Sequence, residues 1–170
     1  LVISTLIQYV AILSFFLIFL KKYFKSSTLW LGLILSIIML EFDITYNLVL
    51  YLNEQNFIPS HIADWIGDQT YNYKVGLFHP KTIQEIIFVS LLILFLNNKK
   101  IVLPEYFYLI FNSYYFGIIL LITFSDFALF AFRFNGHFYS VEAILLTYFI
   151  YQFRPQYITA TILLILSTPI

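Results

Sequence analysis

The sequence predicts an all-α, polytopic membrane fold, and three observations carry that prediction. Of its 170 residues, 61% are apolar and only 11% charged, whereas soluble chains carry about 25% charge. The apolar residues gather into runs near membrane-spanning length, closed by lysine, arginine or polar stretches. These runs are apolar on all sides, whereas membrane β-barrel strands alternate apolar and polar positions over about ten residues. Nine basic and nine acidic side chains are too few to cover a soluble core of this size.

The first run, Leu1 to Leu20, is closed by Lys21, Lys22 and Lys25. It lacks the basic leader and small-residue cleavage site of a secretory signal and reads as a span. Leu29 to Leu40 is too short to cross a hydrocarbon core of about 30 Å. It crosses if the helix continues through Glu41, Asp43 and Asn47 to about Leu52. A polar loop, 53–81, follows. Thr82 to Leu96 is the third span, ended by Asn97, Asn98, Lys99 and Lys100. Pro104 suits the first turn of the fourth, which runs to about Phe124. Ser125 to Gly136 forms a polar corner. Phe138 to Phe153 is the fifth span, ended by Arg154-Pro155, and Tyr157 to Ile170 a sixth. The expectation is one transmembrane domain over 1–170. A chain that opens at Leu1 and stops inside an apolar run reads as a fragment of a longer polytopic protein.

Orientation follows from the basic residues. Six spans put Lys21, Lys22, Lys25, Lys99, Lys100 and Arg154 on one side, and Lys74, Lys81 and Arg133 on the other. The richer side faces the cytoplasm, so the 53–81 loop and the Ser125–Gly136 corner face outward. The loop carries His61, Asp64, Trp65, Tyr73, Lys74, His79 and Lys81, and near-helical spacing of Ile58, Ile62, Trp65 and Ile66 predicts a short interfacial helix. Glu41 and Asp43 fall in the outer half of the membrane, where carboxylates turn toward protein or water. Asp43, Asn47 and Glu54 share a face at helical spacing. The third and fifth spans are short, which predicts an outward polar cavity between the loop and the 125–142 segment.

Several functions are excluded or unsupported. Net charge is zero, so no field draws nucleic acid. There are no cysteines, hence no disulfide, thiol chemistry or cysteine-bound zinc. His61, His79 and His137 lack ligand spacing, and no phosphate-binding glycine loop or nucleophile elbow occurs, so no metal or cofactor is expected.

The most specific block is Arg133-Phe134-Asn135-Gly136-His137-Phe138-Tyr139-Ser140-Val141-Glu142. It resembles the C-terminal signature of the EpsG/Wzy family of bacterial polysaccharide polymerases. There an Arg is followed four and five residues later by an aromatic pair, and a Glu comes four residues after that. This chain keeps Arg133, Phe138 and Glu142 and has His137 where Tyr is usual. The start is also similar: Gln8, before Tyr9, Val10 and Ala11, stands where that family usually has His.

The resemblance implies a glycosyltransferase at the outer face of the bacterial cytoplasmic membrane. It would transfer a glycan from undecaprenyl pyrophosphate to a lipid-linked repeat unit. A transporter or flippase for lipid-linked oligosaccharide is the alternative. The implied partners are undecaprenyl-pyrophosphate-linked glycans, the lipid bilayer and other polysaccharide-assembly membrane proteins, not nucleic acid. The candidate catalytic residues are Arg133, to hold the diphosphate, and His137 or Glu142 as base, with Glu142 alternatively orienting Arg133 or pairing with another helix. Candidate substrate-binding residues are Tyr73, Lys74, Lys81, Asp43 and Asp126. Lys74 and Lys81 alternatively contact lipid headgroups, and Arg133 alternatively snorkels or pairs with Asp126. On one continuous helix Arg133 and His137 lie about 40° apart, but Arg133 and Glu142 about 180°. Convergence of the latter pair needs a turn at Asn135-Gly136, residue types that favour one.

Overall fold

A computed structural model describes residues 24–59, 64, 73–97, 103–139 and 141–152. The first and sixth spans, most of the interfacial helix at 58–66, and the basic residues Lys21, Lys22, Lys99, Lys100 and Arg154 lie outside the described residues. Among those described, the fold is all-helical. Its elements are α1 (Ser26–Glu41), α2 (Ile44–Glu54), α3 (Pro80–Leu96), α4 (Glu105–Thr123), α5 (Ala128–Tyr139) and α6 (Glu142–Gln152).

Helix α4 is the hub. It packs against α1, α3, α5 and α6, most extensively against α5. Phe107, Phe111, Tyr114, Ile118, Leu121 and Ile122 are buried along it, at the i, i+3 and i+4 spacing that keeps side chains on one face. Ring contacts set the register of the neighbours. Phe88 meets Tyr114 edge-on at 5.5 Å, and Phe95 lies 6.3 Å from Phe107, so α3 runs antiparallel to α4. Tyr148 lies 4.8 Å from Phe107 and Phe149 5.2 Å from Phe95, which puts α6 beside the lower half of α3. Leu29 accepts a hydrogen bond from the Tyr115 hydroxyl at 2.7 Å, and Asp43 past the end of α1 meets Asp126 past the end of α4 through Lys74, so α1 runs parallel to α4. One end of the bundle therefore carries Asp43, the 73–81 segment and the 124–128 turn; the other carries Phe24 and Pro104.

Three expectations are corrected. The second span is not a continuous helix. It stops at Phe42 and Asp43, and α2 leaves α1 at 62°. Asp43 sits in the left-handed region (φ 50), a conformation that Asp tolerates better than most residues. The chain does not turn at Asn135-Gly136 either. Both lie within α5, which begins at Ala128, so most of the expected polar corner is helical. Helix α5 runs on to Tyr139, and α6 opens at Glu142. Phe138 packs on Phe116 at 5.9 Å, while Tyr148 reaches Phe107. Helices α5 and α6 thus descend past α4 in sequence, interrupted partway down.

Of the described helices, Tyr106–Thr123 alone is long and apolar enough to cross a bilayer, with half of it buried, and α1 with α2 adds a second if the bent pair counts as one span. Helix α3, at 17 residues, and the apolar α6 are shorter. Six spans are not established by these helices.

The α4–α5 contact depends on a glycine. A Cβ on Gly117 would meet the Phe138 Cβ at 2.7 Å, whereas one on Gly136 meets nothing within 4 Å. Gly117→Ala is therefore expected to push α5 away, lowering stability by roughly 1–3 kcal/mol as overpacked sites do. Gly136→Ala should be neutral or stabilising, since Ala gains up to about 1 kcal/mol over Gly inside a helix. Thermal unfolding of the two variants in detergent checks the contrast.

Candidate functional site

The corner end of the bundle is tied by backbone as well as charge. Val75 N–H donates to the Ser125 carbonyl at 2.7 Å, and Ala128 N–H donates to the Tyr73 carbonyl at 3.2 Å. These two bonds hold the 73–75 segment against the α4–α5 turn. The Lys74 ammonium lies between two carboxylates, donating to Asp43 Oδ1 and pairing with Asp126 Oδ1 at 3.2 Å. Tyr46 stacks on Phe127 at 5.7 Å and adds α2 to the same corner. The 73–75 part of the loop and the α4–α5 turn close on each other here.

Asp43, Lys74 and Asp126 were separate candidates in the sequence, and the fold makes them one cluster of one positive and two negative charges. The Asp43 hydrogen bond, reinforced by Asp126, raises the Lys74 pKa above its ordinary value. Burial pushes the Asp126 carboxyl upward despite the opposing pull of Lys74. Tyr73 contributes its carbonyl to the clamp and leaves its ring exposed. Glu41, Asn47 and Glu54 are exposed. Asp43 precedes α2 and turns its carboxylate to Lys74 instead of continuing the Asn47–Glu54 face.

Arg133 lies on α5, whose buried side is Ala128, Ala131, Asn135 and Phe138. It is two residues from both Ala131 and Asn135, about 200° around the helix from each, and is exposed. Phe132 beside it meets the His79 ring edge-on at 5.7 Å, so the start of α3 abuts the middle of α5. His79 caps α3, its Nδ1 accepting from Lys81 N–H at 3.2 Å, with Pro80 at the first helical position, where its missing N–H costs nothing. His137 follows Arg133 by one turn of α5; its side chain lies outside the described residues.

Below this corner lies a second, buried group that sequence reasoning missed. Glu85 is 1% exposed. The Lys81 ammonium sits 2.5 Å from its Oε1 without aligning a hydrogen bond on it, and the Tyr114 hydroxyl donates to its Oε2. Glu142 is buried as well, at 4% exposed. Lys81, one of the sequence candidates, is thus paired with Glu85, which was not one. A signal existed: Glu85 falls inside the predicted third span, where a carboxylate is as costly as at Glu41 or Asp43.

Between α1 and α4, toward Phe24, a cavity of about 260 Å³ is lined mainly by Leu29, Gly32, Asn112, Tyr115 and Phe116. Among the described residues no three His, Asp or Glu side chains group closely enough to hold a metal ion. No family model, characterised protein or solved structure matches this chain.

The raised Asp126 value sets a sign for pH. A group whose pKa rises on folding adds stability below its ordinary value and loses it as pH climbs through the folded one. Asp126→Asn removes that titration. The variant is expected to melt close to wild type below the carboxylate range and above it at neutral pH. Melting curves at both pH values in detergent decide this, and a variant that is less stable at neutral pH contradicts the burial argument.

Proposed function

We propose that this chain belongs to a multi-pass membrane glycosyltransferase, a polysaccharide polymerase at the outer face of a bacterial cytoplasmic membrane. In this reading it moves a glycan from undecaprenyl pyrophosphate onto a lipid-linked repeat unit. The observation that carries it is the position of Arg133, an exposed residue on the flank of α5 turned away from its packed face, toward the clamped end of the bundle. A departing diphosphate develops charge that needs fixed donors, and a guanidinium offers two parallel ones to a phosphate.

The described surface supports a lipid environment. Helix α1 exposes Leu31, Ile34, Leu35 and Ile38, an apolar stripe of the kind that marks contact with lipid or protein. Of the two residues considered as base, His137 follows Arg133 by four residues in sequence, about one helical turn. Glu142 is buried, which favours its role as a group pairing with another helix. Lys74, already between two carboxylates, suits the role of holding the loop better than that of binding phosphate.

A flippase for lipid-linked oligosaccharide is the second reading. The 62° bend between α1 and α2 and the interruption between α5 and α6 favour it, because transporters build binding sites from discontinuous helices.

Arg133→Ala is expected to cut long-chain polysaccharide by roughly a hundredfold, as loss of one charge-stabilising donor does, while the protein still reaches the membrane. Under the polymerase reading, single lipid-linked repeat units accumulate outside the membrane. Accumulation inside favours the flippase, and normal chain lengths remove the support for both.

A further inference from the structure

We infer that α2 is an interfacial helix, lying obliquely in the boundary layer of the bilayer at the clamped end of the bundle, with Ile44, Leu48 and Tyr51 set into lipid. Helix α1 carries no charged side chain between Ser26 and Leu40, and its 16 residues cover about 24 Å of a hydrocarbon core about 30 Å thick. Charge returns at the bend, with Glu41 and Asp43, and again at Glu54. Because α2 leaves α1 at 62°, its 11 residues rise only about 8 Å farther along the α1 axis, against about 16 Å for a straight continuation. The two helices together therefore rise about 32 Å, close to the core thickness, and α2 occupies the last layer of it.

The side chains of α2 divide into three sectors at about 100° per residue. Leu50, Tyr46, Asn53, Val49, Thr45 and Leu52 sweep one continuous side, which faces protein. Thr45 is buried there, Val49, Leu50, Leu52 and Asn53 are half-buried, and the Tyr46 ring stacks on Phe127. Asn47 and Glu54 come next, about 20° apart and exposed. Tyr51, Ile44 and Leu48 complete the circle within about 60°, at 58%, 43% and 52% exposure. A helix packed on protein along one side and wet along the rest has no use for three large apolar side chains beside a charged strip. One lying in an interface does, since its apolar sector enters lipid while its polar strip stays in water.

Lipid is the occupant that suits both helices at the bend. On α1 the stripe of Leu31, Ile34, Leu35 and Ile38 is exposed, and Phe42 at the bend is 71% exposed, so apolar surface runs up to where α2 begins. Helix α2 contains no Lys or Arg, so burial of apolar area drives the contact and attraction to anionic headgroups does not. The bent pair then crosses the bilayer once, and α2 sets the depth at which Asp43 and the Lys74 corner sit. A bilayer around α1 is all that this requires; the polymerase reading plays no part in it.

Spin labelling of the whole chain in phosphatidylcholine nanodiscs tests this. The chain contains no cysteine, so Leu48→Cys, Asn47→Cys and Ile34→Cys can each carry a single nitroxide. Power saturation then compares collisions with oxygen, which concentrates in lipid, and with a water-soluble nickel chelate. The ratio of oxygen to chelate access is expected to be several-fold higher for Leu48→Cys than for Asn47→Cys, and lower than for Ile34→Cys on α1. Equal ratios at positions 47 and 48 put α2 in water and overturn the proposal. A ratio at position 48 as high as that at position 34 makes α2 part of the core and overturns it too. Shielding of position 48 from both reagents gives the sector to another part of the chain or to a second copy, with the same consequence. If circular dichroism shows Leu48→Cys unfolded, Tyr51→Cys decides by the same comparison. Chelate access at position 34 equal to that at position 47 removes the bilayer from α1, and the interfacial placement falls with it.

Discussion

Lys74 is the residue on which the corner of this bundle depends. Its ammonium reaches carboxylates from two places far apart in sequence, Asp43 at the α1–α2 bend and Asp126 at the α4–α5 turn. The backbone on either side of it is fixed by the Tyr73 and Val75 hydrogen bonds. A surface ion pair alone is worth little, but here Asp126 is almost wholly buried. Without Lys74 its charge would be left unpaired, which is the costly case. The clamp therefore ties together the α1–α2 bend, the 73–75 segment and the α4–α5 turn from which α5 starts.

From that corner inward, the helices carry polarity deeper than an apolar bundle ordinarily allows. Hydroxyls on α1 and α4 satisfy themselves locally: Ser36 donates to Leu33 at 2.8 Å and Ser113 to Leu109 at 2.7 Å. Glu85 pairs with Lys81 one turn back on α3 and also takes a hydrogen bond from Tyr114, so α3 and α4 cooperate around it. Aromatic packing of Phe95, Phe107, Tyr148 and Phe149 closes the opposite end. Among the described residues, the interior of the bundle is thus aromatic toward Pro104 and carries its buried charge nearer Lys74.

Much of the helical layout was legible in the sequence. Apolar length and flanking signals put the fourth helix at Pro104 to about Phe124, against an observed Glu105–Thr123, and the third at Thr82 to Leu96, against Pro80–Leu96. The misses share a cause: tertiary contact overrode local preference. Asn135-Gly136 are turn-forming types, yet α5 runs through them because Ala128, Ala131, Asn135 and Phe138 pack on one side, with Phe138 fitting where Gly117 has no side chain. At the bend, Asp43 is paired with a lysine 31 residues away. The Asp43–Lys74–Asp126 cluster was legible as residue types but not as a group, because no spacing in sequence encodes that meeting. Glu85 was the one omission that a costing of charges within spans would have caught.

The central claim is that the clamped end, with Arg133 on its flank, faces out of the cell. The chain contains no cysteine, so a single introduced thiol reports its own position. Tyr73→Cys at the clamp and Lys25→Cys at the opposite end, each exposed, can be treated in intact cells with a membrane-impermeant thiol reagent. We expect Cys labelling at position 73 in intact cells and at position 25 only after permeabilisation. The reverse pattern, or equal labelling of both in intact cells, contradicts the account.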